Sequence, residues 1–264
     1  MKLRIHRLAA GFTMVEIALS LAIIGFALVT IIGVLPLGLS VQRENREEAI
    51  IQQEASVFLD AIRSGARGLD QLTNAVFAIT NFWTYYEITP TGTNAGPSDV
   101  DGYDWFGSIT TSRAIPPNAM RLTNGFRIVG LLSTPKYQFT TAPPGFYSNY
   151  VVAYVRAMSG LAAEKFPQDN PDVRMDAFKY RLIAENVELP VPPNLDPNRT
   201  NPPERHLSYN LREVRLLFRW PLYPSGQAGN SRRVFRTLVA GPLTNEPPGG
   251  VTWFFQQHQF AKAP

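Results

Sequence analysis

Among the 264 residues, one carboxylate stands where carboxylates are rare. Glu16 opens a stretch in which positions 17–42, 26 residues, hold no Asp, Glu, Lys or Arg. An ionisable group at the mouth of such a segment is costly unless it snorkels to water or meets a cation, so its first chemistry would be ion pairing. The other candidates are weaker. Asp99, Asp101 and Asp104 are spaced closely enough to be calcium ligands, yet they do not follow the D-x-D-x-D-G order of an EF-hand, and a solvated turn explains them more simply. The three histidines, His6, His206 and His258, are scattered without metal-ligand spacing. Cysteine is absent, which removes disulfides, thiolate nucleophiles and Cys-ligated metals from consideration. No G-x-S-x-G, phosphate-binding glycine loop or H-E-x-x-H occurs. The expectation is therefore of no enzyme and no cofactor.

The apolar stretch sets the organisation. About 20 apolar helical residues cross a hydrocarbon core, so 26 suffice. Lys2, Arg4 and Arg7 precede it, whereas residues 43–48 (RENREE) sum to −1, which predicts a cytoplasmic N-terminus and an outer bulk. The same three cations account for most of the formal charge of +4, leaving 4 − 3 = +1 for the rest. That balance argues against a nucleic-acid partner, which needs many cations on one surface. A secretory signal fits poorly. Its apolar region is short and its small residues follow it, but here Ala9-Ala10-Gly11 stand in front of the run.

With its short basic leader and long apolar helix, the segment Gly11-Phe12-Thr13-Met14-Val15-Glu16 resembles the processing site of type IV pilins and type II secretion pseudopilins. The resemblance covers about the first 30 residues, including a glycine at Gly25. It implies cleavage by a prepilin peptidase between Gly11 and Phe12 and N-methylation of Phe12. It further implies that Glu16 serves assembly by pairing with the Phe12 amine of a neighbouring subunit. The implied partners are that peptidase, sister pilin-like subunits, an inner-membrane assembly platform and membrane lipid. The implied fold is α+β and pilin-like, with a long N-terminal helix, half transmembrane and half amphipathic, packed on an antiparallel β-sheet head. A single-pass inner-membrane protein with a periplasmic head is expected, assembled afterwards into a pilus or pseudopilus. A mature chain of 264 − 11 = 253 residues and the presence of Glu16 favour a minor subunit that is not the tip type. Some pseudopilins carry a calcium loop, which keeps Asp99, Asp101 and Asp104 as metal candidates. A membrane-anchored extracytoplasmic enzyme or carbohydrate-binding protein with an uncut anchor is the alternative.

The divisions expected are a leader over 1–11, an assembly helix over 12–42, its amphipathic continuation over 43–65 and a β-rich head over 66–264. Ile51, Ala55, Phe58, Leu59 and Ile62 recur at helical spacing, with Arg46, Glu47, Gln53, Glu54 and Asp60 mainly elsewhere. Gly65 is placed to cap the helix, and Pro36 between Gly33 and Gly38 predicts a bend, local melting or the point where the helix leaves the bilayer. Strands are expected over 126–132, 150–158, 178–185, 210–220 and 233–240, the last two as a hairpin with a long loop. In 214–220, Val214, Leu216, Phe218 and Trp220 share one face and Arg215 and Arg219 the other. Loops are expected near 89–104 and, because of six prolines, near 189–206. The aromatics Phe82, Trp83, Tyr85, Tyr86, Trp105 and Phe106 suit a core better than a sugar-binding or partner surface.

Overall fold

A computed structural model describes residues 11–65, 72–104, 109–110, 125–141, 143–158, 177–190, 203–246, 252–257 and 259–260. The leader up to residue 10, Trp105, Phe106, His6, His258, residues 191–202 of the proline-rich stretch and the side chains of Asp99, Asp101 and Asp104 lie outside that description. The chain divides into two compact units, residues 1–49 and 50–264.

The first unit contributes the N-terminal part of helix α1 (Met14–Ser64). Its side chains are apolar around the whole circumference, and they are exposed: Ile17, Leu21, Ile24, Phe26, Val29 and Ile32 are each about half exposed or more. A helix apolar on all sides needs an apolar surrounding. The segment is long and apolar enough to cross a membrane. The helix continues through Pro36 without interruption, so the expected local melting does not occur. Gly65 ends it in a left-handed conformation, φ +57°, and donates to the Ile62 carbonyl at 3.2 Å.

In the second unit the end of α1 is followed by α2 (Leu72–Ala75), β1 (Val76–Thr89), β2 (Gly92–Asp104), β3 (Ile109–Thr110), α3 (Gly125–Leu132), β4 (Tyr137–Thr141), β5 (Pro144–Arg156) and β6 (Lys179–Glu188). Then come α4 (Pro203–Asn210), β7 (Leu211–Leu222), β8 (Ala228–Ala240), β9 (Leu243–Glu246) and β10 (Thr252–Phe255). The described strands make an antiparallel eight-stranded sheet in the order β3-β2-β1-β5-β6-β7-β8, with β4 also paired to β5, and a separate β9–β10 pair. The architecture is thus α+β, a long apolar N-terminal helix with an antiparallel sheet.

One sheet face carries the core. Val151, Ala153 and Val155 of β5, Tyr180 and Leu182 of β6 and Val214, Leu216, Phe218 and Trp220 of β7 cluster with Ile51, Phe58 and Ile62 of α1 and with Ile128 and Leu131 of α3. The strict alternation along β7 emerges as the sequence pattern implies, with Arg215 and Arg219 on the opposite face.

Four expectations are corrected. Residues 126–132 belong to a helix, α3, not a strand; their apolar side chains are almost all buried, and a short continuous apolar run does not reveal its period. Gly130 is required there, because an added Cβ would fall 2.6 Å from the Phe254 ring. The expected loop at 89–104 is mostly strand: β1 runs on to Thr89 and β2 ladders back from Thr89↔Gly92 to Ala78↔Asp104. Its turn-forming Gly96-Pro97 fall where the register shifts between Thr84 and Tyr86, where a bulge tolerates both. The hairpin from β7 to β8 has a short turn, with Tyr223 N–H donating to Gln227 O at 2.9 Å, rather than a long loop. Within the expected 189–206 loop, residues 203–206 open α4.

Glu54 also departs from its expected polar face. It is 2% exposed, its Oε1 accepts from Met158 N–H at 2.7 Å, and its Oε2 accepts from the Tyr180 hydroxyl. Burial, then the neighbouring Glu54 carboxylate, holds the Tyr180 hydroxyl well above the ordinary tyrosine range. In Glu54→Leu both donors are stranded in the core, at about 1–3 kcal/mol each. The melting temperature of the full chain in detergent is expected to drop, and adding Tyr180→Phe to recover part of the loss; an unchanged melting temperature contradicts the assignment. The raised Tyr180 value stabilises the fold below the unfolded tyrosine pKa of about 10, and that contribution is lost as pH climbs above it. Tyr180→Phe should flatten the fall in stability across alkaline pH, measured by urea unfolding.

Candidate functional site

The N-terminal turn of α1 gathers the residues to which the sequence assigns chemistry. Gly11, Phe12 and Thr13 are not helical, and Met14 is the first helical residue. Thr13 is therefore the N-cap and Glu16 the third helical position. Glu16 N–H donates to Thr13 Oγ1 at 3.2 Å, while Thr13 N–H donates to Glu16 Oε2 at 2.9 Å and Thr13 Oγ1–H to the same oxygen at 2.8 Å. This is a reciprocal capping box, in which side chains satisfy backbone groups that the helix leaves open at its start.

The box gives Glu16 a local role besides ion pairing, and its signal, Thr followed three residues later by Glu before an apolar run, is present in the sequence. Both bonds to the carboxylate end on Oε2. The helix N-terminus itself favours a negative charge there. Phe12 is 84% exposed, and a Cβ added at Gly11 would meet nothing within 4 Å. The Gly11–Phe12 peptide thus lies just outside the helix and is exposed, and Glu16 is one turn inside it.

The other candidates do not join this constellation. The Asp99, Asp101 and Asp104 backbones lie in β2, and their side chains lie outside the described residues. Among the described residues, no group of three His, Asp or Glu side chains converges on a metal position. His206 lies in α4, its carbonyl accepting from Asn210 Nδ2 at 2.7 Å. The aromatics divide between the two faces of the sheet. Trp83 is buried on the core side, its ring 5.3 Å from that of Tyr147, whereas Phe82 is 45% exposed and lies against Tyr150. Tyr86 stacks on Phe146 at 5.1 Å.

The chain was compared with family models, with characterised proteins and with solved structures, and it matches none of them.

The capping box makes a prediction that separates geometry from charge. Thr13→Ala removes the cap and should cost the first turn about 0.5–2 kcal/mol, whereas Glu16→Gln keeps a residue able to close the box. Amide hydrogen exchange of residues 14–16 in micelles is expected to accelerate in Thr13→Ala and to stay near the wild-type rate in Glu16→Gln. Equal acceleration in both contradicts it.

Proposed function

We propose that the chain is a pilin-like structural subunit, a minor pseudopilin made as a precursor. On this reading a prepilin peptidase cuts the Gly11–Phe12 bond, Phe12 is N-methylated, and the product polymerises through its apolar helix into a type II secretion pseudopilus or a type IV pilus-like fibre. The observation that carries it is the arrangement at the start of α1: an open Gly11–Phe12 junction, a carboxylate one turn inside the helix, and a helix that is apolar and exposed all round.

The physical logic joins these parts. Cleavage frees an ammonium on Phe12, and an ammonium–carboxylate pair in an apolar surrounding attracts far more strongly than in water. Within one chain, Glu16 is occupied with Thr13 through Oε2 alone, so its charge is positioned and still available to a neighbour's amine. Such a pair fixes the axial register between helices that otherwise present only featureless apolar surface. Before assembly the same surface is satisfied by the lipid of the inner membrane, with the head on the periplasmic side.

The alternative, an anchored enzyme or carbohydrate-binding protein, has the exposed aromatics Phe82 and Tyr150 in its favour. It gives the Gly11–Phe12 junction no task and leaves Glu16 with helix capping alone.

Charge, not capping, should govern assembly. Glu16→Gln and Glu16→Ala are expected to be cleaved at close to the wild-type level and to be incorporated poorly into sheared fibres, at least tenfold below wild type, since a lost pair of about 1.4 kcal/mol already gives that factor. Normal incorporation of Glu16→Gln would refute the ion pair.

A further inference from the structure

The sheet face opposite the core has a charge distribution that composition conceals. Register places Arg181 of β6 directly opposite Arg219 of β7, and Arg219 opposite Arg232 of β8, so three guanidinium side chains form one row across three strands. Two residues along lies an apolar row, Ile183, Leu217 and Val234, and beyond it a row of Glu185, Arg215 and Arg236. Adding Glu213, which accepts from Arg215 at 2.6 Å and has Arg236 4.0 Å away, these rows of β6, β7 and β8 carry five arginines and two glutamates, 5 − 2 = +3. The sequence without its first eleven residues carries only +1. The positive charge of the protein is thus concentrated here.

Like charges directly opposed across strands destabilise a sheet. Glu213 and Glu185 serve other cations: Glu213 pairs with Arg215, and Glu185 takes Lys136 at 3.0 Å. No carboxylate of the described residues pairs with Arg181, Arg219 or Arg232; Arg219 donates only to the Gly229 carbonyl, at 3.4 Å. The Nε–H groups of Arg181 and Arg219 are shielded from solvent and unpaired. On the same face, toward β1 and β5, Phe82 and Tyr150 are exposed as a contacting pair, and Tyr137 and Phe139 of β4 surround Phe146.

We infer that this outer sheet face lies on an anionic bilayer surface, its arginine row bound to lipid phosphates and its exposed aromatic and aliphatic side chains in the headgroup layer. Charge complementarity selects an anionic partner, and guanidinium groups suit phosphate oxygens. The apolar helix of the same chain, long enough to cross a membrane, selects a bilayer over an acidic polypeptide, and the exposed Val234, Leu238, Phe82 and Tyr150 on this face suit its headgroup layer. The inference rests on the membrane-anchored part of the proposed function, not on assembly. A head tethered to the bilayer by its own chain meets that surface at high effective concentration, so even weak attachment populates it.

The absence of cysteine permits a direct test with the full chain. Val234→Cys, between Arg232 and Arg236 and 48% exposed, is labelled with bimane and reconstituted into vesicles of phosphatidylcholine, with or without phosphatidylglycerol, each containing headgroup-spin-labelled lipid. Strong quenching is expected only with phosphatidylglycerol, and it should be abolished by high salt. Each arginine near such a surface contributes roughly a fivefold preference, so the triple variant Arg181→Gln, Arg219→Gln, Arg232→Gln should lose about a hundredfold and quench as in phosphatidylcholine. A chain that co-floats with both vesicles but quenches equally in both overturns the inference alone. One that floats with neither overturns the anchor reading as well. Protection of the label by polyglutamate in detergent, without lipid-dependent quenching, overturns it in favour of an acidic polypeptide. The salt dependence of the unmodified arginines keeps the test decisive should the triple variant not fold.

Discussion

Everything in this protein follows from an apolar helix with no polar side to turn outward. From Ile17 to Gln42 no side chain is charged, and the residues are exposed around the full circumference of α1. Such a surface in water is unfavourable by roughly 25 cal/mol for every Å². It therefore demands lipid or other apolar helices, and the positions of the charges nearby acquire meaning from that demand. The cations in front, the mixed charges behind and the single carboxylate at the mouth are arranged around one apolar segment.

At that mouth, the Thr13–Glu16 box meets one requirement, and the proposed ion pair adds a second. Capping needs a side-chain acceptor at the third helical position, and ion pairing needs a negative charge within reach of an amine. Glutamate supplies both and glutamine only the first. In the second unit a different carboxylate, Glu54, is held by Met158 and Tyr180 among the apolar side chains of the core. These two of the five glutamates of α1 thus sit in opposite environments, one at an exposed helix start and one deep in a packed core.

Where periodicity was strong, the sequence was legible. The helix from the start of the apolar run to Gly65, the alternation of Val214, Leu216, Phe218 and Trp220, and the strands that became β5, β6 and β8 could all be read from spacing. Where local chemistry competed with tertiary context, it was not. Gly96 and Pro97 signal a loop in isolation, but a bulge accommodates them inside β2. The run around Ile128 was too short to declare its period, and Glu54 looked solvated until its donors, 104 and 126 residues away in the chain, were brought to it. The arginine row was illegible for the same reason: Arg181, Arg219 and Arg232 become neighbours only through register. Of the candidate site, the capping pair was legible as Thr13 followed three residues later by Glu16 before an apolar run, whereas its hydrogen bonds needed the geometry.

The proposed function depends on a single covalent event, cleavage between Gly11 and Phe12, because only a cut chain would carry a free amine on Phe12. Intact-mass and N-terminal peptide mass spectrometry of the protein purified from membranes measures it directly. The account predicts a chain that starts at Phe12 and carries one added methyl group on its α-amine. A chain that begins at Met1, with Gly11 still joined to Phe12, would contradict it.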